Sequence, residues 1–170
     1  MEHEDVFRTD RLVVRRWREA DEHDILALYS MKSVVRWIDD GQSLSASDAA
    51  RWIRVTRDNY QKRGYGMFAI ERLDRSKTIG FGGLVHPGNQ STAEVKYALL
   101  PDVWGKGFAT EFVRGLLRYG NCAQRLARIV ATVAEQNAAS KRVLIKSGFH
   151  QSGTRTENDG SRTEIYEVRF

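Results

Sequence analysis

A carboxylate, a hydroxyl and two glycines are the residues of this chain whose types and spacing could do chemistry: Glu94, Ser140, Gly105 and Gly107. The stretch Glu94-Val-Lys-Tyr-Ala-Leu-Leu-Pro-Asp-Val-Trp-Gly-Lys-Gly-Phe-Ala-Thr110 reads as a strand, a short glycine-containing loop and the first turn of a helix. The first N–H groups of a helix have no partner within it, and the helix dipole puts partial positive charge behind them. Such a spot binds phosphate. Gly105 and Gly107 let the backbone approach an anion with no Cβ in the way, Ala109 keeps the first turn slim, and Lys106 adds a flexible positive charge. Further on, Asn137-Ala-Ala-Ser140 sets an amide and a hydroxyl at the start of a second helix, where asparagine is also an ordinary cap.

Two familiar phosphate loops do not fit. No G-x-x-x-x-G-K-[ST] occurs, which excludes a P-loop NTPase. A dinucleotide fingerprint requires Gly or Ala at position 110 and an acidic residue about twenty further on, whereas the chain has Thr110 and, near that distance, Arg128. The loop does resemble the Q/R-x-x-G-x-G/A pattern of the GNAT superfamily of N-acetyltransferases, with Trp104 in the first place, then Gly107 and Ala109. Trp104 departs from the long polar residue usual there. Yet Trp104-Gly-Lys-Gly-Phe-Ala-Thr-Glu111 is similar to the variant typical of the Rim-type branch, which acetylates ribosomal-protein N-termini and related amines. Asn137, Ser140, Gly148 and Phe149 resemble a second motif of the family, and Thr9-Asp-Arg-Leu12 the T-x-R-L usual in this branch.

The resemblance implies an enzyme that uses acetyl-CoA, forms a ternary complex and passes acetyl directly to an amine. It implies that residues 97–100 splay away from residues 129–133, with pantetheine hydrogen-bonded to exposed backbone of Leu99 and Leu100 and the Leu99 N–H polarising the thioester carbonyl. Trp104, Gly105, Lys106, Gly107, Phe108, Ala109 and Thr110 would hold the cofactor at its phosphates, and Asn137 would bind the pantetheine arm. Ser140 would protonate the leaving thiolate. Glu94 matches the A-E-[ILV]-x-Y of Rim-type relatives and would take the amine's proton, directly or through water.

Glu94 also reads as a purely structural carboxylate, paired across strands or with Lys96. Lys96 falls on the same strand face, where relatives usually carry a small residue. A cation there favours a charged carboxylate and weakens it as a base, or else it anchors an acidic acceptor. An α-amine is roughly a tenth neutral at pH 7 and a lysine less than about a thousandth, so a weak base favours α-amines or activated small amines. The Rim-type resemblance implies a protein N-terminus as the acceptor, which agrees with this preference, with a small-molecule amine as the alternative. Two further readings stay open: a non-catalytic acyl-CoA-binding regulator, and a ribosome- or RNA-binding module whose binding would fall steeply with salt.

The elements that must position these groups follow from periodicity and turn signals. A strand is expected at 11–17, helices at 21–31 and 45–63, and strands at 65–72, 78–86 and 92–99 with short turns between them. A helix from 107 to about 120, a strand at 129–133, a helix at 138–147 and a hairpin of 154–156 with 163–170 complete the order β-α-α-β-β-β-α-β-α-β-β. This is an α+β arrangement, by resemblance the GNAT fold: a mixed, mostly antiparallel central sheet of about seven strands with helices on both faces, in one domain over 1–170.

Composition limits what else the chain does. A single cysteine, Cys122, excludes an internal disulfide and a cysteine-based zinc site, and His3, His23, His86 and His150 lack metal-ligand spacing. No metal is expected, and a reducing cytoplasm is. Residues 1–7 are acidic without an apolar run, and no segment approaches the ~20 apolar residues of a membrane span. The net charge of +5 comes from scattered basic residues, which suits a polyanionic cofactor better than nucleic acid. Residues 34–47 are expected to wall the acceptor site, with Trp37 at its mouth, and a homodimer is compatible with all of this.

Overall fold

Leu12, Val13, Val14 and Arg15 are all buried, so this short strand is covered on both faces and its apolar residues need not alternate. The computed structural model describes residues 5–38 and 41–170; His3 and two positions of the segment 34–47, Asp39 and Asp40, lie outside the described residues. The elements are β1 (Asp5–Arg8), β2 (Leu12–Arg15), α1 (Glu22–Ser30), α2 (Lys32–Val35), α3 (Ala46–Arg63), β3 (Met67–Arg72), β4 (Thr78–Val85), β5 (Ala93–Leu99), α4 (Phe108–Cys122), β6 (Arg128–Ala134), α5 (Ala138–Lys146), β7 (His150–Thr156) and β8 (Arg162–Arg169).

Among the described residues eight strands form one sheet in the order β1-β2-β3-β4-β5-β6-β8-β7. β5 and β6 pair in parallel, while β1–β2, β2–β3, β3–β4, β6–β8 and β7–β8 are antiparallel. The α+β arrangement is as expected, with one strand more. The added strand is β1, paired Phe7 to Val14. Its Asp-Val-Phe-Arg sequence is too short and too charged to show a period, as edge strands often are. Asp5 is held by Arg8 and Arg75, each at 2.7 Å, and those two cations keep its carboxyl below the usual range against the opposing effect of burial.

The chain divides into two compact units, one running up to Gly83 and including Tyr97–Phe108, the other made of Leu84–Lys96 and Ala109–Phe170. In the first unit, α3 starts where Ser45 Oγ accepts the Asp48 N–H at 3.2 Å and stops at left-handed Gly64. Its buried stripe is Ala49, Ile53, Thr56 and Tyr60; Trp52 lies half-buried beside it, edge-on to Trp17 at 5.8 Å. Tyr29 stacks on Phe81 at 5.3 Å. The Tyr60 hydroxyl accepts the Trp17 N–H at 3.2 Å and donates to the Met67 carbonyl, joining α3 to two strand ends.

β3 and β4 approach so closely that a Cβ on Gly83 would stand 1.9 Å from the Gly66 carbonyl oxygen. Backbone cannot swing aside as a side chain can. Gly83→Ala is therefore expected to destabilise the protein by about 2–3 kcal/mol in urea unfolding, and a loss below about 0.5 kcal/mol would mean that the two strands can separate at little cost.

In the second unit, α4 buries Phe112, Val113 and Leu116 completely. Gly120 brings it within contact of Ile129 and Leu84, where a Cβ would be 2.8 Å from Ile129 Cδ1. α5 is tied to β8 by Lys141 on Glu164 at 3.0 Å, and the Tyr166 hydroxyl donates to the same carboxylate at 2.8 Å. Burial, and then the adjacent Glu164 carboxylate, push the Tyr166 hydroxyl up to about 12. Arg114 Nη2 donates to the Lys146 carbonyl at 2.6 Å and links α4 to the end of α5.

Candidate active site

In the first unit, β5 ends against Gly80 of β4. A Cβ there would meet the Ala98 carbonyl oxygen at 2.3 Å and Leu99 Cδ2 at 2.6 Å, so only glycine admits the strand end. The Leu100 N–H and the carbonyls of Leu99 and Leu100 have partners within the chain, where the resemblance implies exposed backbone. Leu100 N–H donates to Ile79 O at 2.8 Å, and Leu100 O accepts from Val103 N at 3.2 Å across a 3-10 turn at Pro101–Val103. Trp104 Nε1 donates to Leu99 O at 2.8 Å, while its ring is half exposed. Pro101 follows the strand end, and the turn it opens folds back to supply the partners of the two carbonyls, while β4 supplies that of the Leu100 N–H.

Beyond Trp104 the chain takes the left-handed conformation at Gly105 (φ 71°) and again at Gly107 (φ 81°), then enters α4 at Phe108. Two left-handed residues so close together favour glycine at both positions. The Lys106 ammonium turns back to donate to Asp102 O at 2.7 Å. Arg11, far away in sequence, reaches the same loop: Nη1 donates to Lys106 O at 2.9 Å, and Cζ lies 4.1 Å from the centre of the Phe108 ring. Arg11 lies in the Thr9-Asp-Arg-Leu12 stretch that resembles a branch-typical motif, and that resemblance alone offered a signal for it.

In the second unit, β5 and β6 pair at Ala93–Ile129 and Glu94–Val130, and the ladder ends there although β6 runs on to Ala134. Glu94 is buried, 4% exposed. Oε1 accepts from Thr132 Oγ1 at 2.5 Å, short as hydroxyl-to-carboxylate bonds are, and Oε2 accepts from Gln90 Nε2 at 3.3 Å. Gln90 is itself fixed: Nε2 also donates to Thr92 O at 2.9 Å, and its carbonyl is 2.8 Å from His86 Nδ1, which must be the protonated ring nitrogen because a carbonyl only accepts. Neither Thr132 nor Gln90 was singled out from sequence; a threonine in an apolar strand and a glutamine in a turn are unremarkable until the strands are paired.

Asn137 caps α5, its Oδ1 accepting the Ser140 N–H at 3.2 Å. That leaves its amide NH2 as the donor to offer a ligand, and Ser140 stands in the first turn, half-buried. Ala109 and Thr110 are half-buried at the start of α4. Trp17 is part of the core, and Trp37 is exposed with the Arg36 guanidinium 4.8 Å from its ring centre. Among the described residues no cluster of three or more His, Cys, Asp or Glu could hold a metal, and no helix is long and apolar enough to cross a membrane. Cys122 is exposed.

Comparison with known proteins agrees with this arrangement. Residues 11–150 match the model of the acetyltransferase (GNAT) domain. An uncharacterized N-acetyltransferase of Bacillus subtilis, YoaA, is 34% identical over 87% of this chain and 84% of its own length. Among solved structures, RimL, a ribosomal alpha-N-protein acetyltransferase in complex with coenzyme A, superposes with TM-score 0.83 over 98% of each chain at 17% identity. The microcin self-immunity acetyltransferase MccE, in complex with acetyl-CoA and AMP, superposes with TM-score 0.80 over 95% of this chain and 94% of its own at 17% identity. At such identities the two structures speak for the fold alone.

Proposed function

Because this chain belongs to the acetyltransferase (GNAT) domain family and is thereby an N-acetyltransferase, we propose that it transfers acetyl from acetyl-CoA directly to a primary amine, that of a protein N-terminus of the ribosomal-protein type. The observation that carries the cofactor is the pair of left-handed glycines, Gly105 and Gly107, leading into α4. A Cβ at Gly105 meets no atom within 4 Å, so backbone conformation rather than crowding favours glycine there, as a loop offering its N–H groups to a diphosphate requires. Acetyl-CoA supplies an acyl group already activated as a thioester.

The chain's own groups do the rest. The residues from Trp104 to Thr110 hold the phosphates, Asn137 donates its amide NH2 to the pantetheine arm, and the Leu99 N–H polarises the carbonyl under attack. Ser140 would relay a proton to the departing sulfur, its hydroxyl recovering one from water in the same step. Glu94 accepts the amine's proton, its carboxylate held on one side by Thr132 and on the other by Gln90. The resemblance of Trp104–Glu111 to the Rim-type loop supports a protein α-amine as acceptor. The same reading puts the protein in the cytoplasm, on its single cysteine, and is compatible with a homodimer, which light scattering would detect.

Thermal unfolding with acetyl-CoA, with NADPH and ATP as controls, tests the cofactor. A ligand at 100 times its Kd adds about 2.7 kcal/mol, a rise of several degrees in Tm for a chain of this size. Absence of a shift with acetyl-CoA would defeat the proposal. A panel of peptides with free N-termini set against polyamines and other small amines then decides the acceptor, and turnover of small amines alone would overturn the ribosomal-protein reading.

A further inference from the structure

We infer that Arg11 is a positioning residue of the cofactor site, which aims the Gly107 N–H at the cofactor diphosphate by holding the Lys106 carbonyl from the opposite side; this rests on the cofactor reading above. The geometry begins with Arg11 itself. Its backbone is pinned just ahead of β2, where Thr9 N–H donates to Leu12 O at 3.0 Å, Leu12 N–H donates to Thr9 Oγ1 at 3.1 Å, and Leu73 N–H donates to Arg11 O at 2.8 Å. From this base the side chain crosses to the loop and meets three successive residues. Nη1 donates to Lys106 O at 2.9 Å, Nη2 lies 3.4 Å from where a Gly107 Cβ would stand, and Cζ sits 4.1 Å from the Phe108 ring centre.

In a trans peptide the C=O and the following N–H point in opposite directions. Fixing the Lys106 carbonyl toward Arg11 therefore fixes the Gly107 N–H away from it. The loop needs such a constraint. With glycine at 105 and 107, the peptides on either side of Lys106 can rotate through conformations closed to other residues, and a flipped unit would present a carbonyl where an anion requires a donor. The Lys106 side chain, turned to Asp102 O, braces the loop's other edge. The planar guanidinium is suited to this task because it donates in its plane while its face rests on the aromatic ring, a combination an ammonium does not offer.

The test compares the parent protein with Arg11→Ala and Arg11→Lys in three measurements: the Kd for CoA by calorimetry, Tm without ligand, and kcat/KM with acetyl-CoA and with acetyl-pantetheine, which has no diphosphate. Arg11→Ala is expected to weaken CoA binding about tenfold, to leave kcat at saturating acetyl-CoA within about twofold, and to leave kcat/KM for acetyl-pantetheine unchanged. Arg11→Lys is expected to bind CoA nearly as weakly as Arg11→Ala. Parent-like binding by Arg11→Lys would overturn the inference, because charge alone would then suffice. Equal losses with both acyl donors, or a fall in Tm that accounts for the weaker binding, would overturn it as a general packing effect. Failure of the parent protein to bind CoA would overturn the cofactor reading and this inference together, whereas parent binding with an unaffected Arg11→Ala would remove only the role of Arg11.

Discussion

Glu94→Gln is expected to lower kcat about 10²–10³-fold at saturating acetyl-CoA, and to leave the Kd for CoA within about twofold. Glutamine preserves the shape of the side chain and can still accept from Thr132, so the loss would report the missing base rather than a collapsed site. The carboxylate is buried and both its oxygens have donors, Thr132 at 2.5 Å and Gln90 at 3.3 Å, which leaves it little freedom to choose its direction of approach. A positioned group of that kind is efficient because its geometry is settled before the amine arrives. The diagnostic measurement is the full pH–rate profile. A profile for Glu94→Gln that overlays the parent's would place the base elsewhere and make Glu94 a cross-strand acceptor only.

Arg15→Met should cost about 3–5 kcal/mol in urea unfolding. Arg15 is 4% exposed; its Nε donates to Glu71 Oε1 at 2.6 Å and its Nη1 to Asp21 Oδ2 at 2.6 Å. Burial works against the guanidinium's charge, but the bonds to Asp21 and Glu71 outweigh it and raise its pKa further. Methionine removes the charge while leaving Asp21 without that cation and Glu71 with only Arg75 Nη1, at 3.6 Å, and the penalty comes chiefly from those weakly compensated carboxylates. Asp21 is doubly involved, since it also accepts the Arg18 N–H at 2.8 Å, so the turn into α1 should loosen with the pair. A loss below about 1 kcal/mol would show that solvent reaches the cluster and screens it.

Much of this protein was legible in its sequence because the signals were local. The helix expected at 45–63 is α3, Ala46–Arg63, capped by Ser45 and stopped at left-handed Gly64, both of them devices that act within one turn. Gly105 and Gly107 declared a loop that only small, conformationally free residues make, and both have positive φ. Asn137 read as a cap and is one. The order of the longer elements came from hydrophobic period and turn chemistry, which act within a few residues. What escaped was whatever needed a partner distant in sequence. β1 is four residues long and gains its strand character only by pairing with β2. The resemblance implied exposed backbone at Leu99 and Leu100, yet Trp104 takes the Leu99 carbonyl and Ile79 the Leu100 N–H once the chain folds back.

The sequence by itself determined the chemistry available to this protein: a glycine loop before a helix, a capped second helix with a serine in its first turn, and a carboxylate in a strand. Those are properties of neighbouring residues, and neighbouring residues are what a sequence records. Tertiary structure alone decided how the groups are held. It brought Thr132 onto Glu94 by pairing β5 with β6, seated the end of β5 on Gly80, and carried Arg11 across to the Lys106 carbonyl. Each of those contacts depends on a register or an approach distance set by the packing of whole elements, and no local propensity encodes it.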